Sequence, residues 1–324
     1  MLALPSRSEL DRARDIVYEV LSPTPQYRWP LLCEALGAEV WVKHENHTPI
    51  GAFKVRGGLV WFDALARRAD KPRGVISATR GNHGQSVALA AQRHGIPALI
   101  VVPHGNSVEK NAAMRALGVE LIEHGNDFQA ARSHAAWLAD QRGLLMVPSF
   151  DPLLVQGVAT YSLELLGAVA DLDVVYVPIG LGSGICGMIA AREALGLKTQ
   201  IIGVVSAHAP AYARSFVEKR AVQSPVATRI ADGMACSVPE RPALEWMWRH
   251  VERMVEVTDD EVEQAMRTIF TCTHNVAEGA GAAGFAAATK ERDTLRGRKA
   301  AFILSGGNVD RDVYARVLNT PAHA

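Results

Sequence analysis

Short apolar segments alternate with longer segments of helical periodicity along most of the chain. The segments ALIVV and DVVYV are apolar throughout, which is typical of strands that are buried on both faces of a sheet. Elsewhere apolar residues recur every three or four positions, as Leu59, Phe62 and Leu65 do, which predicts an amphipathic helix. The pattern predicts strands at 40–44, 74–77, 98–102, 120–122, 144–147, 174–177, 200–205 and 301–304. It predicts helices at 53–69, 83–94, 107–117, 127–142, 155–168 and 184–195.

This alternation indicates an α/β fold built on open parallel sheets. A chain of 324 residues is long enough for about two domains. Open parallel sheets bind ligands at the carboxyl ends of their strands. We therefore expect functional residues directly after the strands, where the polar and glycine-rich turns of this sequence lie.

Composition narrows the class of protein. Lys plus Arg and Asp plus Glu both number 34, so the basic excess typical of a nucleic-acid binder is missing. The four cysteines form no C-x2-C pair, so a zinc site is not indicated. Four cysteines in a chain of this length are too few to indicate a disulfide framework. No apolar run reaches 18 residues, and the first residues do not resemble a secretory signal. We expect a cytoplasmic protein with no membrane or nucleic-acid partner.

The turn between the strand DVVYV and the next helix is rich in glycine. Glycines let the backbone approach an anion closely, and a helix N-terminus offers free N–H groups. We interpret the turn as a phosphate site, the alternative being a tight turn that binds nothing. It also matches the dinucleotide pattern G-x-G-x-x-G, but no Asp or Glu ends the following strand. The turn consists of Gly180, Leu181, Gly182, Ser183 and Gly184.

Three further turns are candidates for chemistry. In the segment 77–85, Asn82 is either a ligand or merely a helix cap. Ser305 begins a polar turn after the strand AFIL, which could be only a turn. Lys54 lies among glycines and apolar residues at a helix start, where a desolvated lysine has a lowered pKa and becomes nucleophilic. A solvated surface lysine is the alternative. Together, a phosphate site, an activated lysine, an amide and a hydroxyl turn are what pyridoxal 5′-phosphate (PLP) requires.

Seven motifs, in the same order, resemble the fold type II PLP enzymes of the serine/threonine dehydratase and serine racemase family. The likeness runs from about residue 22 to 317. The resemblance implies an α/β, tryptophan synthase β-like fold of two open parallel-sheet lobes with the cofactor between them. The large lobe would comprise 1–49 and 146–324, with the small lobe, 50–145, inserted in it. The motifs are KHENHTPIGAFKVRGG, SATRGNHGQS, PIGLGSGICG, RIADGMA, VEVTDDEV, AEGAGA and ILSGGNVD.

The resemblance also implies roles for single residues. Lys54 would form the Schiff base with PLP and later act as the base that removes a proton. Phe53 would pack on the cofactor ring, and Asn82 would hydrogen-bond its phenolic oxygen. Glu278 would lie near the ring, and Ser305 would face the pyridine nitrogen. The phosphate would bind to Gly180, Leu181, Gly182, Ser183 and Gly184. The substrate carboxylate would bind to Thr79, Arg80, Gly81, Asn82 and His83.

The activity implied is dehydration and deamination of a β-hydroxy amino acid to a 2-oxo acid and ammonia by α,β-elimination. Threonine and serine are the default substrates, and 3-hydroxyaspartate, phenylserine and other 3-hydroxy amino acids stay open. Such an ammonia-lyase would serve amino acid catabolism, and the family is commonly a homodimer. The alternatives are a serine or aspartate racemase and a non-enzymatic regulatory protein that binds PLP or an amino acid.

Three departures from the family pattern refine these expectations. Arg80 stands where racemases of the family have a serine base, and a guanidinium does not readily act as a base, so efficient racemisation is disfavoured. Arg80 would instead bind an anionic or aromatic part of the substrate, or pair with a surface carboxylate. No Asp or Glu follows the strand at 200–205, so we expect no divalent metal site. Ile50 and Ala52 replace frequent Thr and Ser, which predicts a less polar pocket that fits a bulkier β-substituent.

Overall fold

The computed structural model describes residues 3–320. The α-helices in this range are α1 Arg7–Tyr18, α2 Pro30–Leu36, α3 Lys54–Ala66, α4 Asn82–Arg93, α5 Val108–Ala116, α6 Phe128–Arg142, α7 Pro152–Ala168, α8 Ser183–Leu195, α9 Ala211–Glu218, α10 Arg241–His250, α11 Asp259–Thr273, α12 Gly279–Lys290 and α13 Arg311–Asn319. The strands are β1 Gln26–Arg28, β2 Glu39–His44, β3 Val75–Ala78, β4 Ala98–Val102, β5 Glu120–Glu123, β6 Leu145–Met146, β7 Val174–Pro178, β8 Gln200–Ser206, β9 Arg253–Val257 and β10 Lys299–Leu304.

The strands form two sheets, and every pairing except that of β1 with β2 is parallel. The six-stranded sheet has the order β1-β2-β10-β7-β8-β9, and the four-stranded sheet has the order β5-β4-β3-β6. The smaller sheet is built from strands that lie between residues 75 and 146. The α/β fold with open parallel sheets is confirmed.

Both sheets are covered on their two faces, as the apolar strands predicted. In β10, Phe302 and Leu304 pack into a core with α11 and α12, while Ile303 packs on the opposite side with α7 and α8. In β4, Ile100 and Leu99 likewise face two different clusters. Because side chains alternate across a strand, a fully apolar strand needs a helix layer on each side.

Every strand predicted from the sequence is present, within a few residues. The antiparallel edge strand β1 and the edge strand β9 were missed, as were several helices outside the predicted set. The acidic run that begins at Asp259 lies at the N-terminus of α11, where Thr258 makes a capping box with Glu261. Among residues 3–320, no helix combines the length and the apolarity needed to cross a bilayer.

Candidate active site

The loops that follow β3, β7 and β10 meet around one cavity of about 170 Å³. These loops leave the carboxyl ends of parallel strands, which is where α/β sheets bind ligands. Together with the start of α3, these three loops bring four segments that are far apart in sequence to one cavity. Every site residue predicted from the sequence lines it: Phe53, Lys54, Thr79, Arg80, Gly81, Asn82, His83, Gly180, Leu181, Gly182, Ser183, Gly184, Glu278 and Ser305.

Backbone pairing between two distant segments fixes the position of Lys54. The N–H of Phe53 donates to the carbonyl of Ser305 at 3.0 Å, and Ala52 forms an isolated antiparallel bridge with Gly306. The hydroxyl of Ser86 donates to the carbonyl of Lys54 at 2.7 Å. The start of α3 is thus held against the turn after β10, and the Lys54 side chain enters the cavity.

The Lys54 amine has no acidic partner. Its Nζ donates to Oγ of Ser183 at 3.3 Å, and no ion pair joins it to a carboxylate of the described residues. Burial disfavours the ammonium form and lowers the pKa of Lys54 to about 8. A lysine with this pKa is partly neutral near neutral pH, so it can act as a nucleophile and as a base. Lys54 is thus partly buried at the cavity and is not a fully solvated surface lysine.

A buried ion network lies directly behind the start of α3. The Arg56 guanidinium donates to Glu45 at 2.7 Å and to Glu164 at 2.6 Å, and Nζ of Lys43 donates to Glu164 at 2.6 Å. All four side chains are almost completely buried, and their formal charges cancel. Because Arg56 lies two residues after Lys54, the network anchors the helix turn that presents the lysine.

Two glycines of the turn 180–184, Gly180 and Gly182, stand where no side chain fits. A Cβ added to Gly180 would lie 2.3 Å from the carbonyl oxygen of Gly233, and Gly182 has φ +99°. The hydroxyl of Tyr212 donates to the carbonyl of Leu181 at 2.8 Å, which holds the turn from outside the cavity. Glycine is therefore required here by close approach and by a left-handed backbone.

The helix that follows this turn has free N–H groups. No side chain caps α8, and its first internal backbone bond runs from the N–H of Cys186 to the carbonyl of Gly182. The N–H groups of Ser183, Gly184 and Ile185 thus precede the first helical bond. Uncapped N–H groups at a positive helix end form an anion site of the kind that takes a phosphate.

Three other helices also begin at the cavity without a side-chain cap, namely α3, α4 and α12. The residue before α4 is Gly81, and Asn82 is already helical. The Asn82 side chain donates to Glu278 at 2.6 Å and accepts from Asn308 at 2.8 Å. Asn82 is therefore not a helix cap, and the alternative that it serves only as one is wrong. Its amide faces across the cavity instead.

An ion cluster missed by the sequence reading forms one wall. Nζ of Lys110 lies 3.0 Å from Asp232 and 3.5 Å from Glu278. Burial opposes the charge on Lys110, but the two carboxylates raise the pKa of Lys110 above its usual value. Burial raises the pKa of Glu278. Lys110 thus belongs to a closed cluster, and its charge is matched locally.

His83 and Ser305 are uncharged polar residues of the cavity whose side chains have an unpartnered atom among the described residues. Nε2 of His83 is buried and makes no hydrogen bond. Burial, together with the charge of Lys54, lowers the pKa of His83 to about 3, so the ring is neutral. Ser305 is a buried residue that lines the cavity, and its hydroxyl makes no hydrogen bond within residues 3–320 either. Buried polar groups are normally paired, so these atoms are available to a ligand.

The site and fold define a class of protein: an α/β enzyme that binds a phosphorylated group and exposes an activated lysine to it. A family model described as pyridoxal-phosphate dependent enzyme matches residues 17–306. The chain therefore belongs to the pyridoxal-phosphate dependent enzyme family, and its fold is of type II. Its cofactor is PLP.

Three known proteins illustrate the similarity. The chain is 36% identical over 290 residues to the L-threonine ammonia-lyase of Thermotoga maritima, which covers 89% of this chain and 72% of that protein. It is 30% identical to the L-threo-3-hydroxyaspartate ammonia-lyase of Saccharomyces cerevisiae, over 98% of both chains. The structure of maize serine racemase matches with a TM-score of 0.89 and 25% identity, over 97% of both chains. Two other bacterial threonine ammonia-lyases or dehydratases are longer, and the chain spans 58% and 69% of them.

The residues present fit PLP. Glycines in the turn 180–184 leave space for a ligand to approach the backbone, and the N–H groups at the start of α8 are uncapped. A phosphate site requires both features. Lys54 has a lowered pKa and faces the same cavity. The unpaired hydroxyl of Ser305 and the unpaired ring of His83 add uncharged polar groups. Among residues 3–320, no group of three or more His, Cys, Asp or Glu could hold a metal ion.

Proposed function

We propose that the protein dehydrates and deaminates a β-hydroxy amino acid, releasing a 2-oxo acid and ammonia. The observation that carries this proposal is the position of Lys54. Its amine has a lowered pKa, has no acidic partner and lies 3.3 Å from Ser183 at the phosphate turn. A lysine placed in this way can both attach the cofactor and move the α proton of a substrate.

The cofactor would be held by groups from both sheets. Lys54 would bond to it covalently, the turn 180–184 would take its phosphate, and Phe53 would pack on its ring. Asn82, which is held by its bonds to Glu278 and Asn308, would hydrogen-bond the phenolic oxygen. Ser305 would face the pyridine nitrogen, and Glu278 would lie near the ring. When bound, PLP supplies an acceptor for the electron pair left at the substrate's α carbon.

The chain's own residues account for the proton movements. Nζ of Lys54, when neutral, accepts the α proton, and its pKa near 8 suits this task close to neutral pH. The hydroxyl of Ser305 carries no charge, so it does not stabilise a protonated pyridine as a carboxylate would. This favours prompt loss of the β-hydroxyl as water, for which the protonated Lys54 returns the proton that it took from the α carbon. A later water hydrolyses the released enamine, so the net products are the 2-oxo acid and ammonia.

The substrate carboxylate would lie at the start of α4. The loop from Thr79 to His83 lines the cavity, and α4 begins without a side-chain cap. Free N–H groups at a helix N-terminus attract carboxylates. Threonine and serine are the simplest substrates, and 3-hydroxyaspartate or phenylserine also satisfies the chemistry.

A racemase is the second candidate function, which the structural similarity to maize serine racemase favours. Racemisation needs a base on each face of the α carbon. The position at which the family's racemases carry their serine base holds Arg80, which does not readily accept a proton. Elimination is therefore the preferred reading. A non-catalytic binding protein is the third candidate, and it would retain cofactor without turnover.

We also propose the organisation in which this reaction takes place. The large lobe comprises 1–49 and 146–324, and the small lobe 50–145, with the cofactor between them. The protein acts as a cytoplasmic homodimer in amino acid catabolism, with serine dehydration among its activities. These proposals rest on the family resemblance and on the two sheets that flank the cavity.

A substrate panel tests the proposed function. The purified protein is loaded with PLP, its visible absorbance is recorded, and 2-oxo acid and ammonia are measured with serine, threonine, phenylserine and both diastereomers of 3-hydroxyaspartate. We expect equal amounts of oxo acid and ammonia from at least one of them. Chiral analysis of the remaining amino acid identifies a racemase. A coloured protein that leaves every substrate unchanged would contradict an enzymatic role.

A further inference from the structure

Arg80 is a cation at the cavity without a counter-ion. It follows β3 at the carboxyl end of the strand, it is one of the residues that line the cavity, and it is exposed. Within residues 3–320 it makes no hydrogen bond and no ion pair. The alternative that Arg80 only pairs with a surface carboxylate therefore has no support in the structure.

The other basic groups of the cavity are paired with carboxylates, uncharged or committed to the cofactor. Lys110 is paired with Asp232 and Glu278, so its charge is matched. His83 is neutral because burial lowers its pKa to about 3. Lys54 is engaged by the cofactor in the proposed function. Among the described residues of the cavity, Arg80 is thus the cation that is still free to bind a negatively charged group of the substrate.

The two anions shared by all substrate complexes already have sites. The phosphate has the turn 180–184, and the α-carboxylate has the uncapped start of α4, which begins at Asn82. A guanidinium binds a carboxylate through two parallel N–H···O bonds, which gives geometric selectivity as well as affinity. A free Arg80 beside these two sites is suited to a third anionic group.

We propose that Arg80 determines specificity by binding a carboxylate on the β carbon of the substrate, which makes a 3-hydroxy dicarboxylic amino acid the preferred substrate class. This inference rests on the proposed function. An aromatic β-substituent could also stack on a guanidinium, but that contact is weaker at an exposed site and would leave the charge unmatched. Charge complementarity therefore favours the dicarboxylate.

Three variants separate these possibilities. Arg80→Met removes the charge and keeps the length of the side chain, and Arg80→Lys keeps the charge without the planar fork. Arg73→Met is the matched control, because Arg73 is also exposed and unpaired but lies before the amino end of the same strand, β3. For each protein, kcat/KM is measured with 3-hydroxyaspartate, threonine and phenylserine.

We expect the ratio of kcat/KM for 3-hydroxyaspartate to that for threonine to fall about 10- to 100-fold in Arg80→Met, the usual effect of losing a hydrogen bond to a charged group. Arg80→Lys should recover part of the ratio, and Arg73→Met should keep it. Equal losses for all substrates would overturn the inference, because Arg80 would then bind the shared α-carboxylate. The inference would also be overturned if the wild type preferred phenylserine and Arg80→Met abolished that preference. Arg80 would then stack on an aromatic ring of the substrate.

A binding measurement keeps the inference testable if no substrate is turned over. Succinate and butyrate have four carbons and no amine, so neither can react with the cofactor. Calorimetry should show that succinate binds the PLP-loaded protein at least tenfold more tightly than butyrate does, and that Arg80→Met removes the difference. Equal affinities in the wild type would overturn the inference, whereas absent turnover with the succinate preference intact would overturn only the proposed function.

Discussion

Nζ of Lys54 and Oγ of Ser183 lie 3.3 Å apart, although 128 residues separate them in the chain. Lys54 is the first residue of α3, and Ser183 is the first residue of α8. The same point in space thus receives the activated amine and the uncapped N–H groups of a helix. A ligand that carries both an aldehyde and a phosphate can satisfy the two groups together.

Replacement of Lys54 should abolish turnover. Lys54→Ala removes the covalent attachment point and the base, so oxo-acid formation should fall by at least about 1,000-fold while PLP is bound only non-covalently. Borohydride reduces the bond between lysine and PLP to a stable one. Mass spectrometry should then find the cofactor attached to the wild type but not to the variant. The control is Lys198→Ala, since Lys198 is exposed after α8 and away from the cavity. Retained turnover in Lys54→Ala would contradict the assignment.

The lowered pKa of Lys54 predicts how cofactor loading depends on pH. The neutral amine attacks the aldehyde, and its fraction increases as pH rises through the folded-state pKa of about 8. The rate of PLP incorporation into apoprotein should therefore rise about tenfold between pH 7 and 9 and then level off. Stopped-flow absorbance measures this rate. A rate that keeps rising through pH 10 would indicate an ordinary lysine near 10.5.

The strands and the site turns could be predicted because each depends on local sequence. Fully apolar runs indicate strands covered on both faces, and the glycines of 180–184 indicate an anion turn before any tertiary contact is known. The edge strand β9 was missed although its pattern is visible. In β9, Val255 and Val257 are buried and Glu256 is exposed, the alternation expected of a half-buried strand.

The ion clusters could not be predicted in the same way. Lys110, Asp232 and Glu278 come from three separate segments, and only the folded chain brings them within 3.0 to 3.5 Å. Charged residues are almost never fully buried unless they are paired, so a sequence assigns them to the surface by default. Arg56 illustrates this, because its burial depends on carboxylates 11 and 108 residues away.

Substitution of Gly180 should weaken cofactor binding. In Gly180→Ala the new Cβ would lie 2.3 Å from the carbonyl of Gly233, so the phosphate turn must shift. We expect PLP affinity to fall at least about tenfold, measured by equilibrium dialysis, because the turn's N–H groups lose their alignment. Gly167→Ala in α7 is the matched control, since nothing lies within 4 Å of its new Cβ. Unchanged affinity in Gly180→Ala would exclude a phosphate role for this turn.

The buried ion network behind α3 should contribute strongly to the stability of the folded protein. Arg56→Met leaves the carboxylates of Glu45 and Glu164 buried with only Lys43 to compensate them, so the free energy of unfolding should fall by about 3–5 kcal/mol. Urea unfolding of the apoprotein measures this. The control is Arg67→Met, which breaks a surface pair with Asp63 and should cost about 0–1 kcal/mol.

A second variant separates charge burial from packing in this network. Glu45→Gln keeps the shape of the side chain and leaves Arg56 with one carboxylate partner, Glu164. If unpaired charge sets the cost, Arg56→Met in the Glu45→Gln background should cost less than in the wild type, by about 1–3 kcal/mol, because fewer buried carboxylates are stranded. Additive losses would show that Arg56 stabilises α3 through packing alone. In that case the position of Lys54 would depend mainly on the backbone pairing of 51–53 with 305–307.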